Sequence, residues 1–430
     1  MEYRQVVTSF LTTVQQILIL RRSSKVGSHR GKWSAVSGYL EGTEQPLTRA
    51  VTEIREELGL SPEQIDLIRM GETLRAYDEE NDTVWVVHPF LFETRSKSMQ
   101  LDWENVDYRW IAPVELTSYD TVPKLRETLD RVQSDLQSQP ASLTDVMRKV
   151  KQLGDDRIHG ATFLGREAVT LLSEAAQASD ARDTDTLFFH TLLVGLRLRR
   201  AQPAMANVWN LTGKLLQIVD KHRASGAPLQ ELQSLVQKVS THMLEEETKA
   251  SEDVSRNTAQ MLPQNGVVLT HSYSSTVLRS LELGFMSGMG FKVYATESYP
   301  GMEGKQLAKE LIASGIPVTL IADSATNSIL QELDLILVGA DSVLKDGSLI
   351  HKVGTRDIGM AARKQGIPLY SSCETVKFST QDFLGERPAT SNLFDSTPPE
   401  FVSSYITEEG ELAPTGVERR IRSLQKDIYP

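Results

Sequence analysis

Residues 38–60 read GYLEGTEQPLTRAVTEIREELGL, and this stretch decides the fold of the first third of the chain. A loop is expected to open at Gly38 and to contain Gly42 and Glu44. A helix should follow, because Leu47, Ala50, Val51, Ile54 and Leu58 stand at offsets 0, 3, 4, 7 and 11, one apolar face. Glu53, Glu56 and Glu57 avoid that face and are expected to meet on one exposed edge, at i, i+3 and i+4. Three carboxylates placed this way repel one another, and a hard cation relieves them. Mg²⁺ takes oxygen ligands and commonly bridges carboxylates to substrate phosphates. Gly59 is expected to end the helix as a C′ glycine. The plainer reading is a solvated acidic face, which is what most charge runs are.

Working outward, Gln5–Leu11 and Val14–Leu20 read as strands rich in β-branched and aliphatic residues. Arg21 and Arg22 follow, facing either a phosphate or solvent. Trp33, Val36 and Ser37 form a short strand, Leu67–Arg75 and Thr83–Glu93 two more around the acidic turn DEEND, and Tyr108–Ile111 a last one. A helix over Val122–Leu136 completes a domain over residues 1–136. The polar stretch 137–142, QSQPAS, reads as a linker. Residues 143–262 are wholly helical in pattern, over Leu143–Leu153, Ala161–Gln177, Asp185–Leu198, Met205–Ala224 and Leu229–Asn257.

Residues 263–430 alternate strand and helix. Val267–Thr270, Phe291–Thr296, Val318–Ile321, Leu333–Val338 and Pro368–Ser371 are short apolar runs, with Lys305–Ala313 and Asp357–Lys364 among the helices between them. Continuous apolar strands belong to a parallel sheet covered on both faces, with ligands beyond the carboxyl ends. Those ends carry His271 and Ser272, Glu297, Asp323, Asp341, and Cys373 with Glu374. The expected fold is therefore a multidomain α/β chain: an α/β/α sandwich with a mixed sheet, a helical subdomain, and a Rossmann-like parallel domain.

The totals bound the function. The chain has 430 residues and a net charge of -11, which argues against a general phosphate-backbone binder, so no direct nucleic-acid partner is expected. One cysteine, Cys373, excludes a disulfide framework and points to a reducing compartment. The N-terminus lacks a basic region followed by a long apolar run, and no run of about 18 apolar residues occurs. A cytoplasmic protein with no membrane partner is expected.

The 38–60 pattern resembles the Nudix box, the signature of hydrolases of nucleoside diphosphate derivatives. Gly38, Glu44, Glu53, Ile54, Glu56, Glu57, Gly59 and Leu60 match it, while Thr52 stands where the family has an arginine that orients a glutamate. The resemblance implies that Glu53, Glu56 and Glu57 are catalytic and hold Mg²⁺ (or Mn²⁺). Gly38 and Arg22 would meet the substrate. The base would be one of these glutamates or a more distant carboxylate such as Glu79 or Glu104.

From about residue 143 the chain resembles a second family. It joins the α, β and δ subunits of translation initiation factor 2B to ribose-1,5-bisphosphate isomerase and methylthioribose-1-phosphate isomerase. The matching runs are IHGATFLGREA, THSYSSTV, ESYPGMEGKQLAKEL, GADSVLKDGSLIHKVGT and FDSTPPEFVSSYITEEGELAP. The resemblance implies a catalytic aspartate at Asp341 and substrate contacts at Ser272, Glu297, His351, Lys352 and Gly354. It also implies a small phosphorylated substrate, a homodimer or larger assembly, and a possible initiation-factor partner.

Five positions depart from the isomerases. Ser272 stands for the cysteine, and a hydroxyl is a far weaker acid than a thiol near pKa ~8.5. His159, Gln202 and Tyr299 stand for arginines, and His351 for an asparagine. These departures favour a binding, regulatory or assembly role over isomerisation. Lys352, Gly354 and Thr355 remain at a loop entering a helix, where an anion could sit. Asp341 reads as a pocket residue or a turn residue. Ser272 and Ser274 read first as helix caps, and Cys373 as a small buried residue. His159, His271 and His351 lack metal-ligand spacing.

Overall fold

The computed structural model describes all residues except 1, 14–15, 41–43, 79–82, 95, 134–140, 157–158, 382–392 and 430. The chain divides into two compact units, Met1–Gln139 and Pro140–Pro430.

The first unit carries strands β1 (Glu2–Thr13), β2 (Gln16–Arg22), β3 (Trp33–Ser34) and β4 (Val36–Tyr39), then helix α1 (Pro46–Leu58). Strands β5 (Ile65–Met70), β6 (Leu74–Asp78), β7 (Thr83–Thr94) and β8 (Asn105–Ile111) and helix α2 (Leu125–Gln133) follow. They build one mixed sheet in the order β3-β2-β1-β7-β5, with β4 on β1, β6 on β7 and β8 on β2. Only β1 and β7 run parallel among its pairs. Phe10, Ile17, Ile19 and Leu91 form a core with Leu125, Leu129 and Val132 of α2. The expected single strand 67–75 is two strands, both hydrogen-bonded to β7.

Gly38 lies inside β4, opposite Val7 of β1, rather than opening a loop. Helix α1 runs over the expected span, burying Leu47, Ala50, Ile54 and Leu58, and ends at Gly59 with φ 67°. Glu53 and Glu57 are also buried, so the expected exposed edge is corrected. They stand one position before Ile54 and Leu58 of the apolar stripe and are turned inward with it, leaving Glu56 outside. Gly42 and most of the expected linker lie outside the described residues, as does the turn at 79–82.

The second unit begins with helices α3 (Thr144–Asp155), α4 (Ala161–Ala178), α5 (Thr184–Ala201), α6 (Ala206–Ala224) and α7 (Leu229–Ala259). Then come β9 (Val267–His271), α8 (Ser275–Met286), β10 (Lys292–Thr296), α9 (Glu303–Ala313), β11 (Val318–Ile321), α10 (Thr326–Ile329) and β12 (Leu335–Val338). The chain continues through β13 (Ser342–Val343), β14 (Leu349–Lys352), α11 (Thr355–Gln365), β15 (Leu369–Ser372) and β16 (Phe394–Thr397). It closes with β17 (Ser404–Thr407), β18 (Gly410–Leu412) and α12 (Val417–Leu424).

The main sheet runs β11-β10-β9-β12-β15-β17-β18, parallel except for the last pair. Alternate residues enter two separate cores. Leu269, Ile336 and Val338 join one; Val268, Leu335 and Leu337 join the other. This is the two-period of a strand buried on both faces. Burying each such side chain contributes about 1.5–3 kcal/mol. Strand order reverses between β9 and β12, so the crevice beyond their carboxyl ends is the natural ligand position. A second sheet, β13-β14-β16, stands beside it. It escaped the sequence reading because its strands are only two to four residues long.

Candidate functional site

In the first unit, α1 lays its carboxylates against β4. A Cβ on Gly38 would fall 1.7 Å from Glu53 Oε1, so glycine leaves the space that this carboxyl fills. Glu57 Oε1 accepts from the Ser37 backbone N–H at 3.0 Å, and its Oε2 accepts from Asn105 Nδ2 at 2.7 Å. Burial pushes Glu57 up to about 8 despite these two bonds, and the neighbouring charges of Glu53 and Asp102 add to the rise. Burial also raises Glu53, opposed by the guanidinium of Arg49, which donates to Glu53 Oε1.

Strand pairing sets Arg22 opposite Asn105. Burial raises Glu104 as well, with Asp102 adding and Arg22 opposing. Glu104 donates its N–H to Asp102 Oδ1 at 3.0 Å. Glu79 lies outside the described residues. Asp102 and Asn105 escaped the sequence reading, since DWEN carries no pattern of its own.

Among the described residues no three acidic, histidine or cysteine side chains stand together as a ready metal shell. The donors still fit a divalent cation chemically. Glu53 and Glu57 are buried oxygen donors held above the usual carboxylate range, the condition that a hard cation relieves.

In the second unit a cavity of about 490 Å³ opens at the β9/β12 switch point. Ser272, Tyr273 and Ser274 line it from the end of β9, Asp341 from the end of β12, and His351 and Lys352 from β14. Burial lifts the Asp341 carboxyl to about 7, against the pull of Lys377 and Lys352. Burial holds His351 well below its ordinary value, so it is neutral, and its Nδ1 pairs with Thr355 Oγ1 at 2.9 Å. Beneath it, His271 Nε2 donates to the Val353 carbonyl at 2.9 Å. Lys352 Nζ donates to Glu303 Oε1 at 2.6 Å. Lys377 Nζ lies 2.9 Å from Glu374 Oε2, both side chains buried.

The start of α11 holds no open anion seat. Asp395 Oδ2 already accepts from the N–H groups of Gly354 (2.8 Å) and Arg356 (3.3 Å). Gly354 is therefore corrected from a substrate contact to a backbone donor to Asp395. Glu297 is also corrected: it pairs with Lys305 at 3.1 Å and does not line the cavity. Ser274 caps α8 by accepting from Val277 N, whereas Ser272 does not; its N–H donates to Ser298 Oγ at 2.7 Å.

The model of the initiation factor 2 subunit family matches residues 157–389. The chain belongs to that family. A second model, the NUDIX domain, matches residues 2–132, so this family member carries a Nudix domain ahead of its initiation factor 2 subunit region. It is 26% identical over 298 residues to ribose 1,5-bisphosphate isomerase of Thermococcus kodakarensis, covering 64% of this chain and 92% of that protein. It is 30% identical to an eIF-2B subunit 2-like protein of Pyrococcus furiosus, covering 63% and 96%. Among solved structures it resembles the translation initiation factor eIF-2B of Pyrococcus horikoshii, with a TM-score of 0.54 and 27% identity over 63% of this chain and 98% of that one.

Within this family member the cavity gathers Asp341, Ser272, His351, Lys352 and His159. His159 is held by Asp156 at 2.7 Å and stacks on Phe163. Gln202 spends its amide on the Leu153 carbonyl at 2.6 Å, and Tyr299 is exposed and lies off the cavity lining. Cys373 is buried in the sheet's core with its thiol pushed up to about 12, so it is not a nucleophile. Lys377 and Glu303 were missed in the sequence. The only signal for either was its place in a run, ETVK for the lysine and SYPGMEG for the glutamate. Among the described residues no helix is long and apolar enough to cross a membrane.

Proposed function

We propose that the chain is a Nudix-type pyrophosphohydrolase of a nucleoside diphosphate derivative, fused to a ligand-binding regulatory domain. One observation carries this reading: Glu53 and Glu57 are buried against β4, with Glu104 and Arg22 beside them. Glu53, Glu56 and Glu57 would hold Mg²⁺ or Mn²⁺, which when bound neutralises the diphosphate and acidifies a water. Arg22 binds a substrate phosphate oxygen. Glu104, made more basic by burial, takes a proton from the attacking water. Asn105 and the Ser37 N–H hold Glu57 in place.

The second domain binds rather than isomerises. Lys352 and the start of α11, the features suited to a phosphate, are already answered by Glu303 and Asp395. Ser272 lacks the acidity of a thiol. What remains is a cavity with a titratable acid at its wall, suited to a small polar ligand that reports on the hydrolase. Self-association of this domain is part of the proposal; a structural relative from C. thermophilum is a tetrameric eIF2B-beta2-delta2 complex.

The test is a hydrolysis screen with Mg²⁺ over nucleoside di- and triphosphates, nucleotide sugars, dinucleoside polyphosphates and ADP-ribose. Wild type should cleave one class, and Glu57→Gln should lose about ten- to a hundredfold in kcat. Equal turnover by the variant, or silence of wild type across the panel, refutes the hydrolase. Ketose formation from ribose 1,5-bisphosphate, followed by NMR, would refute the binding role of the second domain.

A further inference from the structure

The box lacks its arginine at position 52, yet Glu53 has one. Arg49 stands one turn earlier on α1, three residues from Thr52, so side chains from the two positions share a flank of the helix. Its Nη2 donates to Glu53 Oε1 and lies 3.9 Å from Glu56 Oε2. The Glu53 side chain is only 10% exposed and that of Arg49 27%. Gly38 leaves room for the Glu53 carboxyl, and Arg49 grips the same oxygen, Oε1, that lies nearest that glycine. The grip uses Oε1 and leaves Oε2 uncommitted to Arg49. Arg49 also feels Glu44, so one fixed positive charge is shared among the acids of the box. A guanidinium suits this task because it stays charged and its planar fork fixes direction.

We propose that Arg49 is a positioning residue: it holds Glu53 with one oxygen free for a divalent cation, from one turn before the place where the box pattern puts its arginine. The proposal rests on the Nudix reading above. Thr52 then marks a relocated arginine rather than a disabled box.

The experiment is Mn²⁺ binding to the full-length protein, followed by the electron paramagnetic resonance of free Mn²⁺. The set is wild type, Arg49→Ala, Arg49→Lys, Arg49→Ala/Thr52→Arg and Glu57→Gln, each checked for fold by circular dichroism. Arg49→Ala should weaken binding about tenfold or more, the usual effect of losing a group that orients a ligand. Arg49→Lys should recover little, because an ammonium lacks the fork. Arg49→Ala/Thr52→Arg should recover most of the affinity, which a merely structural loss would not do.

Unchanged binding in Arg49→Ala overturns the proposal, as does an Arg49→Ala/Thr52→Arg protein as weak as Arg49→Ala. Tighter binding in Arg49→Ala also overturns it, since the guanidinium would then be standing in the cation's place. Failure of the Nudix reading looks different: wild type itself binds no Mn²⁺, or Glu57→Gln binds as well as wild type, and the proposal falls with it.

Discussion

Asp341 lies three residues beyond β12 in the cavity lining and keeps its carboxyl up at about 7, chiefly because burial penalises the ion. In the unfolded chain the same group ionises near its ordinary 3.8. The stability that the neutral acid gives is therefore complete below that lower value and is lost as pH rises through about 7. Lys377 and Lys352 soften the loss without removing it. Asparagine keeps the neutral shape at every pH. The melting temperature of Asp341→Asn should therefore gain on wild type from roughly pH 4 to roughly pH 7 and then hold. A difference independent of pH would show that Asp341 ionises normally in the fold.

At the scale of elements, the position of the cavity depends on how closely helices approach the ends of the parallel strands. Helix α9 begins against the end of β10, and a Cβ on Gly304 would fall 1.7 Å from the Thr296 carbonyl oxygen. That neighbour is backbone and has no rotamer to change. Gly304→Ala must push α9 off the sheet, and with it Glu303, the partner of Lys352. The substitution should cost about 1–3 kcal/mol in urea unfolding with an unchanged m value. A midpoint equal to wild type would mean that α9 has room to move. The contrast with Gly38 is instructive. There the added methyl would meet the far end of a side chain, so the conflict falls on the Glu53 carboxylate rather than on the fold.

For the whole molecule, two compact units with separate apolar cores are joined in one chain of 47.9 kDa. The proposed self-association belongs to this scale. Sedimentation velocity of the full chain should give a species at a multiple of 47.9 kDa, and a fragment spanning 143–430 should associate as well. A single species at that mass across micromolar concentrations would refute it.

Local pattern carried far in this chain. The apolar period of α1, the five helices α3–α7 and the five parallel strands β9, β10, β11, β12 and β15 could all be read from the residues. Each repeats on its own period, 3.6 or 2, and the side chains that set it are near neighbours in sequence. Ser272 and Asp341 were legible as residues just past the ends of apolar strands and as positions that the family resemblance picks out. Position-by-position spacing likewise singled out Glu53, Glu56 and Glu57, and the resemblance to the Nudix box marked Thr52 as standing where an arginine is usual.

Tertiary packing decided what no local period records. It buried Glu53 and Glu57 while leaving Glu56 in water, because β4 closes over one flank of α1. It turned Arg49 onto Glu53, and it met Lys352 with Glu303 and the start of α11 with Asp395. It also left Glu297 and Gly354 off the cavity wall. Composition and periodicity assign each residue a face, but charge, protonation and access depend on which groups from distant segments share that face. In this chain they turn the phosphate seat expected from the sequence into one already filled by the protein's own carboxylates.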